Sequence, residues 1–302
     1  MPLEPRVRQG LTLAFFAVLL FSFSLPLTKV AIQGFNPFFT ATGRAVVAGA
    51  IAIVVLLVRR APWPPRAQWR PLILTMIGAV FGWPILLALA LEHTTSAHAA
   101  VIAAFMPLTT AIFAVLRAKE HAMVQFWVAA GLGTVALIIF ALSRAGSTQG
   151  SLLGDLLIVA AVISSSWCYV EGASVSKVMP GWQVISWVVV FALPITLPAS
   201  ILLWFATSAN YQPTTVDWSA LILLGISSMY VGFIAWYQGL VKAGIAYGGQ
   251  MQQLQAPLTL IWSAWWLGEV VTWGTVLMAF VVIGCVVWAQ RTRARGAQTA
   301  AH

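Results

Sequence analysis

Ten apolar runs, each long enough to cross a lipid bilayer, constrain this chain more than any other feature. A spanning helix needs about 20 predominantly apolar residues. Runs of that kind cover Leu11–Gln33, Phe38–Val58, Leu72–Leu91, Ala97–Leu116 and Met123–Ser143, and then Leu152–Gly172, Trp182–Ala206, Trp218–Val241, Ala246–Gly268 and Val271–Gln290. In hydrocarbon every backbone N–H and C=O must find an internal partner, so these runs are expected to be helices. The connections are short and turn-rich, as at Arg59–Pro71, Ser143–Ser151 and Ser208–Asp217, and leave no stretch long enough for a soluble domain. Composition agrees: 61% of the residues are hydrophobic and 8% charged, whereas a water-solvated surface needs about 25% charge. The first run follows Arg6 and Arg8 as a signal peptide would, but no small-x-small cleavage site follows it, so it is expected to remain as the first membrane helix.

Charge distribution sets an expected orientation. With the N-terminus in the cytoplasm, the inside connections hold Arg6, Arg8, Arg59, Arg60, Arg66, Arg70, Arg117, Lys119, Lys177, Lys242, Arg291, Arg293 and Arg295, and the outside ones only Arg144. That asymmetry follows the positive-inside rule and predicts a multi-pass membrane protein with both termini cytoplasmic. The net charge of +9 sits in short clusters between apolar runs, without interleaved aromatics, so lipid is the expected partner and nucleic acid is not. Cys168 and Cys285 lie inside apolar runs and read as small buried hydrophobes.

An internal repeat organises the ten runs. Segment four carries Pro107-Leu108-Thr109 and segment nine Pro257-Leu258-Thr259, each followed by a lone glutamate opening the next segment, Glu120 and Glu269. Lys29 and Lys177 close segments one and six, each eight residues after an aromatic, Phe21 and Tyr169. The repeat divides the chain into residues 1–148 and 149–302. A unit of five helices is odd, so tandem copies must enter the bilayer with opposite topology. The expected fold is an all-α integral membrane protein of ten transmembrane helices, built as two inverted-topology five-helix repeats.

These residues resemble a family. The five-plus-five plan, the mid-helix prolines of segments four and nine and the glutamates opening segments five and ten look like the drug/metabolite transporter superfamily with paired EamA domains. Within it, the aromatic and glutamine residues near the expected cavity are most similar to aromatic amino acid exporters of the YddG type. The resemblance implies export of small metabolites from the cytoplasm across a bacterial inner membrane by alternating access, with no cofactor and no catalytic or metal-binding residues, by a chain expected to act as a monomer.

Polar residues inside apolar segments are the candidates for contact with cargo. Segment nine carries Gln250, Gln252, Gln253 and Gln255 within about a turn and a half, a composition costly against lipid. Gly248, Gln252, Gln255 and Thr259 fall on one helical stripe, and Pro257 frees a backbone acceptor near Gln253. Amides there could line a cavity or bridge neighbouring helices. The matching stripe of segment four is His98, Ile102, Phe105 and Thr109, in which His98 could bind substrate or carry a proton, or stand idle and wetted at the membrane end. Pro107 and Pro257 are candidate hinges or static kinks. Ser164 and Trp167 of segment six, Tyr237 of segment eight and Trp83 of segment three complete the expected substrate-binding set, the aromatics through stacking; close helix packing is the alternative for Ser164, and packing or anchoring at the membrane interface for the aromatics. Of the charges within segments, Arg44 could steer an anionic group or pair with a carbonyl, and Lys29 and Glu171 fall within reach of an interface. Glu120 and Glu269 are expected to satisfy free N–H groups at helix N-termini.

Other function classes fit less well. An embedded enzyme would need a metal cluster or catalytic acids, and His93, His98, His121 and His302 show no ligand spacing. A channel would need a filter or a charged ring. The expected activity is export of aromatic and other neutral amino acids. Efflux of drug-like cations is the alternative within the superfamily, and a membrane-embedded enzyme a remote one.

Overall fold

A computed structural model describes residues 5–118, 124–144, 151–243 and 251–299. Among them every regular element is helical. Seven helices are long and apolar enough to span a membrane: Pro5–Gly34, Pro37–Val58, Arg66–His93, Ser96–Arg117, Leu152–Val175, Gly181–Thr207 and Thr215–Ala243, which are segments one to four and six to eight. Segment five is Val124–Arg144, segment nine is described from residue 251 and continues as Gln255–Trp266, and segment ten is Trp273–Thr299. Local chemistry sets several of the starts. The Asn36 side chain accepts from Phe38 N, with Pro37 at the first helical position. Thr95 caps segment four through His98 N, Ser151 caps segment six through Gly154 N, and Thr214 with Asp217 forms a reciprocal capping box at segment eight.

The way the segments pair reflects the two repeats. Segment one packs along segment eight, and segment three along segment six; segments two and seven, four and nine, and five and ten face each other. Under a repeat that relates each segment to the one five later, the pair one–eight maps onto the pair six–three, and the other three pairs map onto themselves. Lipid offers no hydrophobic drive for helices to associate, so close contact depends on small residues that let backbones approach. Gly10 and Ala14 meet Gly239 and Ala243 in the first of the exchanged pairs, and a Cβ placed on Gly239 would come within 2.8 Å of the Ala14 backbone nitrogen. In the equivalent pair, Gly78 and Gly82 lie against Ser164 and Cys168. Both interfaces use small residues four apart, one helical turn on one face.

Near mid-depth the helices depart from α geometry. Segment one breaks at Phe23, shortly before Pro26; segment four breaks between Ala103 and Met106, just before Pro107; and segment nine has a 3₁₀ turn at Gln252–Leu254 just before Pro257. Each proline lacks the N–H that would reach one turn back, so the preceding turn loosens. Segments three and eight, equivalent under the repeat, both widen into π-helical stretches, Ile77–Gly82 and Leu224–Val231. Such stretches concentrate at functional sites because they expose backbone groups and turn side chains out of register.

Candidate functional site

The bent stretches converge on one cavity between the halves. Phe21 and Ser24 come to it from segment one, Arg44 from segment two, and Ala79 and Trp83 from the π stretch of segment three and the turn after it. Met106 enters from segment four, Ser165 and Tyr169 from segment six, Ser228, Met229 and Phe233 from segment eight, and Gln255 from segment nine. Its volume is about 20 Å³, room for one water at the usual about 10–15 Å³. Three of its rings form one connected cluster: Phe21 stacks on Tyr169 at 6.4 Å and meets Phe233 edge-on at 5.3 Å.

Arg44 is the charged group on this wall. It lies two turns into segment two and is 3% exposed. One guanidinium nitrogen, Nη2, donates to Ser228 Oγ at 2.6 Å and so joins the first repeat to the second. Nε and Nη1 are buried without hydrogen-bond partners, as is the neighbouring Ser24 hydroxyl. Among the described residues no carboxylate lines the cavity.

The stripe of segment nine divides its work among three neighbours. Gln252 is buried, and its amide nitrogen lies 3.1 Å from the Met106 sulfur. Gln255 reaches the cavity wall. Thr259 donates to the Ser22 carbonyl at 2.9 Å. That carbonyl sits four residues before Pro26 and has no N–H to accept within its own helix, so segment nine supplies the missing donor. Trp262 Nε1 adds a bond to the Ser22 hydroxyl at 2.9 Å, and its ring stacks on Phe23 at 4.6 Å.

A group of polar contacts ties the helix ends together on one face of the bundle, where segments one, three and nine end and four and six begin. Glu269 accepts from Ser96 N at 2.9 Å, Ala97 N at 2.8 Å and Ser96 Oγ at 2.9 Å. Its carboxylate therefore caps segment four, an element distant in sequence, and complements the positive end of that helix. Ser96 also bonds Ser263 of segment nine at 2.7 Å. The Lys29 ammonium donates to the Leu91 and Thr94 carbonyls where segment three ends. His98 Nε2 lies 2.7 Å from Asp155 Oδ1, a buried pair joining segments four and six, with the imidazole stacked on Phe140 at 4.6 Å. On the opposite face Arg117 pairs with Glu171 at 3.1 Å and Arg59 lies over the Trp182 ring at 5.4 Å. Glu171 and Lys29, expected within reach of an interface, are thus held by protein partners.

Of the residues singled out in the sequence, Trp83 and Gln255 line the cavity, and Gln252 touches Met106, which also lines it. Ser164 packs into the space left by Gly82. Trp167 projects elsewhere on segment six and meets Phe113 edge-on at 5.3 Å. His98 is engaged with Asp155. Tyr237 is wholly buried, with its ring against Gly172, its Cβ against Gly181 and its hydroxyl without a partner. Pro107 and Pro257 directly follow the breaks in their helices. Gly248, Gln250 and Glu120 lie outside the described residues. Sequence reasoning passed over Asp155, Ser228, Met229 and Phe233. Asp155 is one of only seven acidic residues in the chain, and that scarcity was the signal that could have found it.

Comparison with known proteins gives a consistent set of relatives. A family model described as EamA-like transporter family matches twice, over residues 8–142 and 152–289. The uncharacterized transporter YdeK of Bacillus subtilis (strain 168) is 39% identical over 92% of this chain and 95% of its own length. An S-adenosylmethionine/S-adenosylhomocysteine transporter of Chlamydia muridarum (strain MoPn / Nigg) is 29% identical over 51% of each chain. One solved crystal structure shares the fold at a TM-score of 0.65 and 20% identity, covering 93% of this chain and 97% of that one.

Proposed function

The chain belongs to the EamA-like transporter family, and from that premise we propose that it exports small neutral metabolites from the cytoplasm, aromatic and other neutral amino acids first among them. The observation that carries this reading is the cavity at the bends of the helices, to which both repeats contribute, walled by rings, thioethers, hydroxyls, an amide and the Arg44 guanidinium. Trp83, Phe21 and Gln255 suit a planar or apolar side chain beside a zwitterionic head, since apolar walls with a few convergent polar groups are the usual form of a small-molecule site. Gln252 and Ser164 brace that wall from behind. Trp167, His98 and Tyr237 belong to the helices that must move around it. Drug-like cations are the less favoured cargo, because a buried cation needs a carboxylate and the lining offers none among the described residues.

Alternating access requires the cavity to widen toward one face at a time. The loosened turns before Pro107 and Pro257, facing each other across segments four and nine, are the proposed hinges, and they lie level with the π stretches of segments three and eight. The excess of basic residues on the side of the termini supports an inner-membrane orientation with both ends cytoplasmic and cargo moving outward.

Counterflow of labelled tryptophan, phenylalanine and methionine in proteoliposomes tests the proposal, with S-adenosylmethionine included because the chlamydial relatives bear that name. Uptake of the neutral amino acids, reduced by Trp83→Ala more than by Trp167→Ala, is the expected result. Absence of uptake of every amino acid refutes the substrate class, and uptake of S-adenosylmethionine alone replaces it.

A further inference from the structure

We propose that Arg44 is the docking point for a carboxylate on the transported molecule, so that the cavity selects an anionic head attached to an apolar or aromatic body and rejects the corresponding amine. This deepens the reading above and rests on its placing the cargo in the central cavity.

Arg44 stands inside an apolar helix, 3% exposed, where an ionised side chain is expensive and almost always faces a partner or a cavity. Its single hydrogen bond goes to a neutral hydroxyl, Ser228, at 2.6 Å. Nε and Nη1 remain buried donors without acceptors, and the adjoining Ser24 hydroxyl is equally unengaged. All three atoms belong to residues of the cavity wall. A buried cation of this kind is normally matched by a carboxylate of the protein. Among the described residues, Asp155 and Glu171 are committed to His98 and Arg117, Glu269 to the start of segment four and Asp217 to its own capping box, while Glu92 is exposed at the end of segment three. The compensating charge is therefore left to the cargo. A guanidinium offers planar N–H donors matched to a carboxylate, whereas a phosphorylated ligand calls for several such groups. Trp83, Phe21 and Phe233 stand on the same wall to receive the apolar body. Because the Arg44–Ser228 bond spans the two repeats, a carboxylate that competes for Nη2 would also loosen a contact between the halves.

The test is transport and stability of the purified full-length protein. In proteoliposomes, counterflow of labelled phenylalanine is competed by 3-phenylpropionate, which keeps the carboxylate, and by phenethylamine, which keeps only the amine. The carboxylate is expected to compete at least about tenfold better, the range of a charge-assisted hydrogen bond. Arg44→Gln is expected to lose about ten- to a hundredfold in phenylalanine transport, with Arg44→Lys intermediate. The thermal midpoint of Arg44→Gln should hold or rise, because an unpaired buried charge has gone; a purely structural arginine would lower it. Equal competition by phenethylamine, or undiminished transport by Arg44→Gln, overturns the assignment. If the wild type carries no amino acid, the functional reading fails on its own. Arg44 is then judged by thermal stabilisation with 3-phenylpropionate. Stabilisation that Arg44→Gln abolishes upholds the carboxylate site, and its absence in the wild type overturns it.

Discussion

Removing the Glu269 carboxylate should unlatch one face of the transporter. The first N–H groups of a helix have no partner within it. In segment four Thr95 serves His98 N, and Glu269 serves Ser96 N and Ala97 N while also accepting from Ser96 Oγ. Hydrogen bonds to a charged acceptor are worth about 1.5–3 kcal/mol each when buried. Glu269 is only partly buried, and capping losses run at about 0.5–2 kcal/mol. A combined loss of about 2–3 kcal/mol for Glu269→Ala is therefore expected, and about 1 kcal/mol for Glu269→Gln, which keeps one acceptor oxygen. These bonds exist only while the ends of segments nine and four meet. Their loss should thus favour the form open on this face by about 30- to 150-fold. With Cys168 and Cys285 replaced by serine, Ser24→Cys places a thiol on the cavity wall. A membrane-impermeant thiol reagent applied from this face should then label the Glu269→Ala form at least about 30-fold faster, and the Glu269→Gln form only severalfold faster. A lower thermal midpoint with unchanged labelling would mean that the carboxylate supports the fold without latching the face. No change in either would mean that the trans cap contributes nothing, and the reasoning fails.

Three further outcomes follow from the packing. Gly239→Leu must push segments one and eight apart at the Ala14 backbone, at a cost of about 1–3 kcal/mol, while Gly284→Ala, with open space around it, should leave the thermal midpoint unchanged. Thr259→Val strands the Ser22 carbonyl and should cost about 1 kcal/mol; adding Pro26→Ala, which restores an N–H in segment one, should recover most of that loss in a double-mutant cycle. His98→Ala leaves Asp155 buried and unpaired and should lower stability by about 3–5 kcal/mol, with His98→Ala/Asp155→Asn less damaged than the single change; equal damage in the two variants would show that the pair is not coupled.

The features that the sequence determined by itself are those that depend on neighbours within one turn or one span. Length and apolarity made ten bilayer-crossing runs, because hydrocarbon tolerates only backbone that is satisfied internally. Pro26, Pro107 and Pro257 placed the breaks of segments one, four and nine, because a missing N–H acts on its own preceding turn. An odd repeat unit made the two halves inverted. What only the tertiary structure decided concerns partners. That Glu269 would meet free N–H groups at a helix start was legible from its charge, but the helix turned out to be segment four, reached across the bundle. The widening of segment eight at Leu224–Val231 has no proline to announce it. Asp155 became visible only when segment six brought it to His98, and Arg44 became the charged group of a cavity only when segment eight set Ser228 against it. Hydropathy says that a helix is in the membrane, but a lipid-facing and a protein-facing position look alike until the neighbouring helix is in place. The small residues that bring those neighbours together, at Gly10 and Gly239 or Gly78 and Ser164, act through contacts between helices far apart in the chain.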